Sequence, residues 1–233
     1  MYLFNMKSLL SFFFLLAIKY SSKLFYKFEI GWPKEPIPWD KLRFIVFLNH
    51  TSLYEFLYVG ILPNHFLRRM SKRMVAPAAD KTMKRPLVGL FFKLFNPGIM
   101  PITRKRDETW TSFLENIYDD SLILIAPEGR MKRETGMDSS GNKMNVRTGI
   151  TDILAGLKEG KMIFAYSGGL HHVQVPDKGM FPKLFKTLKM NIELLDIQNY
   201  KKACISAINT DAWRQQIIND IHLRMENNVP KWN

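Results

Sequence analysis

The sequence predicts an α/β fold: a mostly parallel sheet flanked by helices, with an N-terminal membrane-associated helical segment. Three observations carry this expectation. Short apolar runs rich in branched and aromatic residues alternate with stretches of helical periodicity, the pattern of strands joined by crossover helices. The first thirty residues form a segment of their own, apolar and punctuated by lysine. At 233 residues, 46% of them hydrophobic, the chain can fill one core and is short for two.

Leu9 to Ile18 is an apolar run in which Ser11 is the one polar residue, closed off by Lys7 and Lys19. It is shorter than the roughly 20 residues that cross a bilayer straight. Lys19, Lys23 and Lys27 then share one helical face beside Tyr20, Leu24 and Phe28, the pattern of a helix at a membrane interface. Residues 1–30 are therefore expected to be membrane-anchoring helices, monotopic or crossing once. A buried core helix and a cleaved signal peptide are the alternatives, although Ile18-Lys19-Tyr20 makes a poor cleavage site. Residues 31–40 read as a linker, since Pro33, Pro36 and Pro38 exclude regular structure, and the main domain is expected over 41–233.

In that domain the expected strands are 43–48, 73–76, 98–102, 121–126, 161–167 and 190–195. Helical periodicity falls at 53–61, 83–95, 109–118 and 148–158. Trp213, Ile217, Ile221 and Met225, spaced by four, predict a C-terminal helix capped near Asn209 or Thr210. Gly136 to Asn145 reads as an exposed loop.

Lysine and arginine number 34 against 21 acids, a net charge of +13, which points to an anionic partner: nucleic acid, a phospholipid surface or a phosphorylated substrate. Eleven of these cations lie between Arg68 and Arg106 against the single acid Asp80. The apolar content excludes a disordered basic tail. A mean hydropathy of −0.14 excludes a polytopic membrane protein. Cys204 is the single cysteine and can form neither an intramolecular disulfide nor a cysteine zinc cluster, which fits a reducing environment. The adjacent His171 and His172 lack zinc-ligand spacing, and Gly168-Gly169 lacks the third glycine of a dinucleotide loop.

Three polar clusters follow expected strands, where open α/β sheets place their sites. The first is Asn49-His50-Thr51-Ser52-Leu53-Tyr54-Glu55. An imidazole steadied by a carboxylate is a good general base. Ser52-x-x-Glu55 is equally a helix capping box, and spacing alone leaves both readings open. The second cluster is Pro127-Glu128-Gly129-Arg130-Met131-Lys132-Arg133, either a strand-ending turn or a polar site in which Glu128 accepts from hydroxyls and the cations bind phosphate. The third is the run Arg104-Lys105-Arg106, either a solvated face or a phosphate contact.

In this order the pieces resemble the glycerolipid acyltransferase superfamily, which includes the lysophosphatidic acid (1-acylglycerol-3-phosphate) acyltransferases. His50-x-x-x-x-Glu55 resembles its Asn-His-x-x-x-x-Asp block, and Gly98-x-Met100-x-Ile102-x-Arg104 its second. Pro127-Glu128-Gly129 matches the third, and Ile163 to Gly169 the apolar fourth. Lys81-x-x-x-x-Pro86-x-x-Gly89 resembles the segment between the first two. The resemblance spans Phe44 to Gly169. It departs at Glu55, where the family has aspartate, and at Arg130, one place earlier than the usual arginine.

The resemblance implies acyl transfer from acyl-CoA or acyl-carrier protein to the free hydroxyl of a lysophospholipid, foremost 1-acylglycerol-3-phosphate, giving phosphatidate. His50 would be the base and Glu55 its orienting carboxylate, with no acyl-enzyme, no metal and no resident cofactor. Arg104, with Lys105 or Arg130, would hold the acceptor phosphate, Glu128 and Gly129 its glycerol, and Lys81 would join the substrate-binding set. Ser52 would be a helix cap, and Asn49 and Thr51 are candidate oxyanion donors. The protein would sit on a phospholipid membrane surface at the cytoplasmic face, with no nucleic acid partner. Transfer to another lyso-lipid, or a non-catalytic basic module for anionic lipid or nucleic acid, are the competing readings; the latter leaves the ordered blocks unexplained.

Overall fold

The computed structural model describes residues 6–103, 105–176, 178–179, 181–204 and 206–232. The chain forms two compact units, Met1–Leu24 with Leu57–Leu124, and Phe25–Phe56 with Ile125–Asn233. Within both, the strands are parallel except for one pair, and helices flank them, so the α/β class and the mostly parallel sheet stand as expected.

The first unit opens with α1 (Met6–Phe25), whose polarity is reversed from that of an ordinary surface helix. Ser11, Leu15, Ile18 and Ser22, spaced by helical turns, are buried, while Met6, Leu9, Leu10, Phe13, Tyr20 and Leu24 are exposed. Two buried polar groups of this face are matched, while the buried Ser22 Oγ has no hydrogen-bond partner among the described residues: Ser11 Oγ donates to Phe95 O at 2.7 Å, and Lys19 Nζ to Leu62 O at 2.7 Å and Asn64 Oδ1 at 2.6 Å. After α2 (Asn64–Arg73) comes β3 (Met74–Ala79), which pairs in parallel with β4 (Ile99–Ile102) and β5 (Leu122–Ile125). Between β3 and β4 the helix expected at 83–95 begins only at Pro86, as α4 (Pro86–Phe95), because proline is tolerated in a first turn, and a short helix α3 (Asp80–Met83) precedes it. Gly89 permits that corner; a Cβ there would lie 2.2 Å from Met83 O. α5 (Glu108–Glu115) begins where the Asp107 side chain accepts from Thr109 N.

In the second unit the strand order is β1 (Lys27–Gly31), β7 (Thr187–Asp196), β6 (Lys161–Ser167), β2 (Leu42–Leu48). Among the described strands of this unit β6 and β7 run antiparallel, which puts the end of β6 beside the start of β7. The buried strand residues include Phe44, Val46 and Leu48 of β2 and Met162, Phe164 and Tyr166 of β6. α6 (Gly149–Gly156), α7 (Ile197–Lys202) and α8 (Asp211–Asn228) complete the unit. α8 is capped by the Thr210 side chain and buries Trp213, Ile217 and Ile221, as the spacing predicts.

The structure corrects three local expectations. The lysine face ends early: α1 stops at Phe25, and Lys27 begins β1, paired with β7. Residues 53–61 form a 3₁₀-helix rather than an α-helix. The 136–145 loop is mostly exposed but buries Asp138, whose carboxylate accepts from Ser140 N at 2.7 Å and Asn142 N at 2.9 Å.

Candidate active site

The site is built at the end of β2, within the second unit. Asn49 takes a left-handed conformation (φ +63°), which asparagine tolerates better than most L-residues, and its Nδ2 donates to Ser167 O at 2.8 Å. This turns the chain sharply after the strand and presents His50, whose side chain keeps 23% of its surface exposed.

Glu55 then reaches back with both oxygens. Oε2 meets His50 Nδ1, while Oε1 accepts from Thr51 N at 2.6 Å and Ser52 N at 3.2 Å. Ser52 Oγ accepts from Tyr54 N at 3.2 Å, completing the reciprocal cap. The two readings that spacing left open are thus both realised by one carboxylate. Its backbone bonds fix the group, and the fixed group fixes the imidazole with Nδ1 as donor, leaving Nε2 as the acceptor. No partner binds Nε2 among the described residues.

Glu128 stands behind the histidine. It is 3% exposed, and its Oε2 accepts from His50 N at 2.8 Å. Burial pushes its pKa up to about 7, against the lowering effects of the His50 N–H, the His50 charge and Lys132. For His50, burial disfavours the charged ring, but the charge and hydrogen bond of Glu55, with the charge of Glu128, outweigh it and raise the pKa above 6.5.

Gly129 has φ +66°, and a Cβ there would lie 3.0 Å from Cδ and Nε of Arg147. Arg147 Nε in turn donates to Glu128 O at 3.3 Å. The backbone of Lys132 donates to His50 O at 2.7 Å, and its Nζ lies 3.4 Å from Asn49 Oδ1. Arg130 pairs with the buried carboxylate of Asp138, so this guanidinium is already engaged within the protein.

Of the residues expected to serve the site, His50, Glu55, Glu128 and Gly129 come together. Lys81 (in α3) and Lys105 (after β4) are exposed and belong to the first unit; Arg104 lies outside the described residues. Ser52 is fully buried and hydrogen-bonded to Gln174 Oε1 at 3.0 Å, consistent with a cap. Of the candidate oxyanion donors, Thr51 N serves Glu55, and one N–H of Asn49 Nδ2 serves Ser167 O. The supports from Arg147 and Gln174 carry no sequence motif, being single polar residues brought in from distant segments, whereas Ser167 lies within the Ile163 to Gly169 block. His171 and His172 each bond a backbone carbonyl, of Lys132 and Thr187 respectively.

A strand-end histidine held by a carboxylate, with the buried Pro127 and Glu128 and the exposed Gly129 behind it, is an arrangement suited to general-base chemistry. Residues 33–166, more than half of the chain, match the family Acyltransferase, and the chain belongs to that family. Among solved structures it is similar to the 1-acyl-sn-glycerophosphate (LPA) acyltransferase PlsC from Thermotoga maritima, with a TM-score of 0.57 and 16% identity over 96% of this chain and 83% of that one. At that identity the likeness establishes the fold. No curated protein matches the sequence.

Proposed function

We propose that this acyltransferase moves a fatty acyl group from acyl-CoA or acyl-carrier protein to the free hydroxyl of a lysophospholipid, 1-acylglycerol-3-phosphate foremost, giving phosphatidate. The observation that carries the reading is the division of the Glu55 carboxylate between the backbone and His50 Nδ1. It leaves Nε2 to take the acceptor's hydroxyl proton as the oxygen attacks the thioester carbonyl. The tetrahedral intermediate collapses, the C–S bond breaks, and the imidazolium returns its proton to the leaving thiolate. No acyl-enzyme intervenes, and the reaction calls for no metal or resident cofactor.

Glu128 supports this base by holding the His50 backbone, with its second oxygen and the Gly129 turn left to meet the glycerol portion. Lys81 remains in the proposed substrate-binding set, and Arg104 and Lys105 remain the proposed phosphate contacts. Lys132 joins them, because it stands against Asn49 while Arg130 is held by Asp138. Membrane association is supported by the apolar exposed face of α1 and by Leu87 and Leu90 of α4, which are 77% and 56% exposed. The cytoplasmic face is part of this proposal.

Purified full-length protein, supplied with acyl-CoA or acyl-carrier protein and a panel of lysophosphatidate, lysophosphatidylethanolamine and lysophosphatidylglycerol, tests the proposal. Lysophosphatidate should react fastest. A different preferred acceptor would reassign the substrate, and no transfer with either donor would remove the proposal.

A further inference from the structure

Residues 181–186, Phe181-Pro182-Lys183-Leu184-Phe185-Lys186, form the approach to β7 in the second unit. Three large apolar side chains stand in solvent here: Phe181 is 86% exposed, Phe185 77% and Leu184 44%. Lys183, between them, and Lys186, just after them, are also exposed. The backbone that carries them is firmly held. Lys183 N donates to Val173 O at 2.8 Å, Phe185 N to Phe25 O at 2.8 Å, and Lys27 N to Lys186 O at 3.1 Å. Phe185 also has φ +57°, a conformation that is a genuine outlier for a bulky residue. Folding here fixes an aromatic ring outward at a cost in backbone energy, where asparagine or glycine would sit without strain.

Two placements say what this surface meets. Phe25, to which the segment is fastened by a hydrogen bond and a ring contact at 5.9 Å, is the last residue of α1, the helix with the apolar exposed face. The segment also leads into β7 at the end where β6 finishes and where β2, parallel to β6, gives way to His50. It therefore lies on the same sheet edge as the site.

We propose that Phe181 to Lys186 is a second membrane-docking element, inserting Phe181, Leu184 and Phe185 among the headgroups of an anionic phospholipid bilayer while Lys183 and Lys186 pair with lipid phosphates. Alternating apolar and lysine side chains are the composition of an interfacial anchor. Docking here turns the His50 edge of the sheet toward the bilayer, so that an acceptor with its acyl chain still in the leaflet can reach Nε2.

The test uses the full chain with Cys204→Ser, an environment-sensitive dye on Phe181→Cys, and phosphatidylcholine vesicles with or without phosphatidylglycerol. Co-sedimentation is measured in the same samples, and no acyl donor is present, so failure here is separable from failure of the catalytic reading. On anionic vesicles the dye should shift to the blue and be quenched by headgroup-level spin-labelled lipid. The same dye at Lys158→Cys, before β6 at the opposite sheet edge, should do neither. Lys183→Gln with Lys186→Gln should weaken partitioning to anionic vesicles by roughly thirtyfold, taking about 1 kcal/mol per lysine. A dye that stays in water on vesicle-bound protein overturns the proposal, as does absence of vesicle binding. So does a blue shift that appears without vesicles as protein concentration rises, which would assign the surface to a second copy of the chain.

Discussion

Glu55→Gln and Glu55→Ala separate the two tasks of one carboxylate. In the glutamine variant the retained oxygen can still accept from Thr51 N and Ser52 N, which lie 2.6 and 3.2 Å from Glu55 Oε1. The amide nitrogen then faces His50 Nδ1 as a donor, which forces Nδ1 to become the acceptor and puts the ring proton on Nε2, the atom that must accept. General-base assistance is worth roughly 10²–10⁴ in rate, so kcat/KM should fall about a thousandfold while the thermal midpoint stays within a degree or two. Glu55→Ala loses the same activity and the cap as well, costing about 1 kcal/mol of stability. Thiol release from acyl-CoA, followed against pH, supplies the second readout. Burial opposes the His50 imidazolium, but Glu55 and Glu128 raise the pKa above 6.5, and only the neutral ring is a base. Wild-type activity should therefore be lost as pH falls through a value above 6.5, and the residual Glu55→Gln activity should show that limb at lower pH. A Glu55→Gln variant within a few-fold of wild type, with its acid limb unmoved, would refute the orienting role.

Glu128 holds a proton when folded that it releases when unfolded between pH 4.5 and about 7, so its contribution to stability is present below that window and is lost as pH rises across it. Glu128→Gln should match the wild type in urea-derived unfolding free energy near pH 4.5 and exceed it by about 3 kcal/mol at pH 8; parallel pH profiles would contradict the burial argument. Gly129→Ala places a Cβ against Arg147 at a positive φ, costing about 1–2 kcal/mol, and calorimetry should find Tm lowered by roughly 2–8 °C. Lys132→Ala should raise KM for a phosphate-bearing acceptor about tenfold while leaving KM for the thioester unchanged, since a charge-assisted contact is worth roughly 1.5–3 kcal/mol; equal effects on both substrates would assign Lys132 a structural role.

The strands at 43–48, 121–126 and 161–167 could be read because their residues are apolar, branched and bounded by turn formers, and tertiary packing agrees with that local pattern. β1 could not, because Lys27 continues a four-residue lysine spacing that fits a helix, and only pairing with β7, some 160 residues away in sequence, overrides it. α2 was hidden in the basic run from Arg68, although Phe66, Leu67 and Met70 give it a buried face. At the site, spacing brought His50 and Glu55 forward but set the cap against the catalytic pair as rivals. A carboxylate has two oxygens, and only three-dimensional placement shows that each takes one partner. Arg130 illustrates the reverse limit: its place in the motif suggests a phosphate contact, while the acid that engages it, Asp138, sits in a segment that reads as an ordinary polar loop.

The most direct test of the account is transfer of a radiolabelled acyl group from acyl-CoA to lysophosphatidate by purified wild-type protein and by His50→Ala, compared at equal fold integrity. Labelled phosphatidate is expected from the wild type, with a loss of about a thousandfold or more in the variant. Full transfer by His50→Ala would contradict the assignment of His50 as the base.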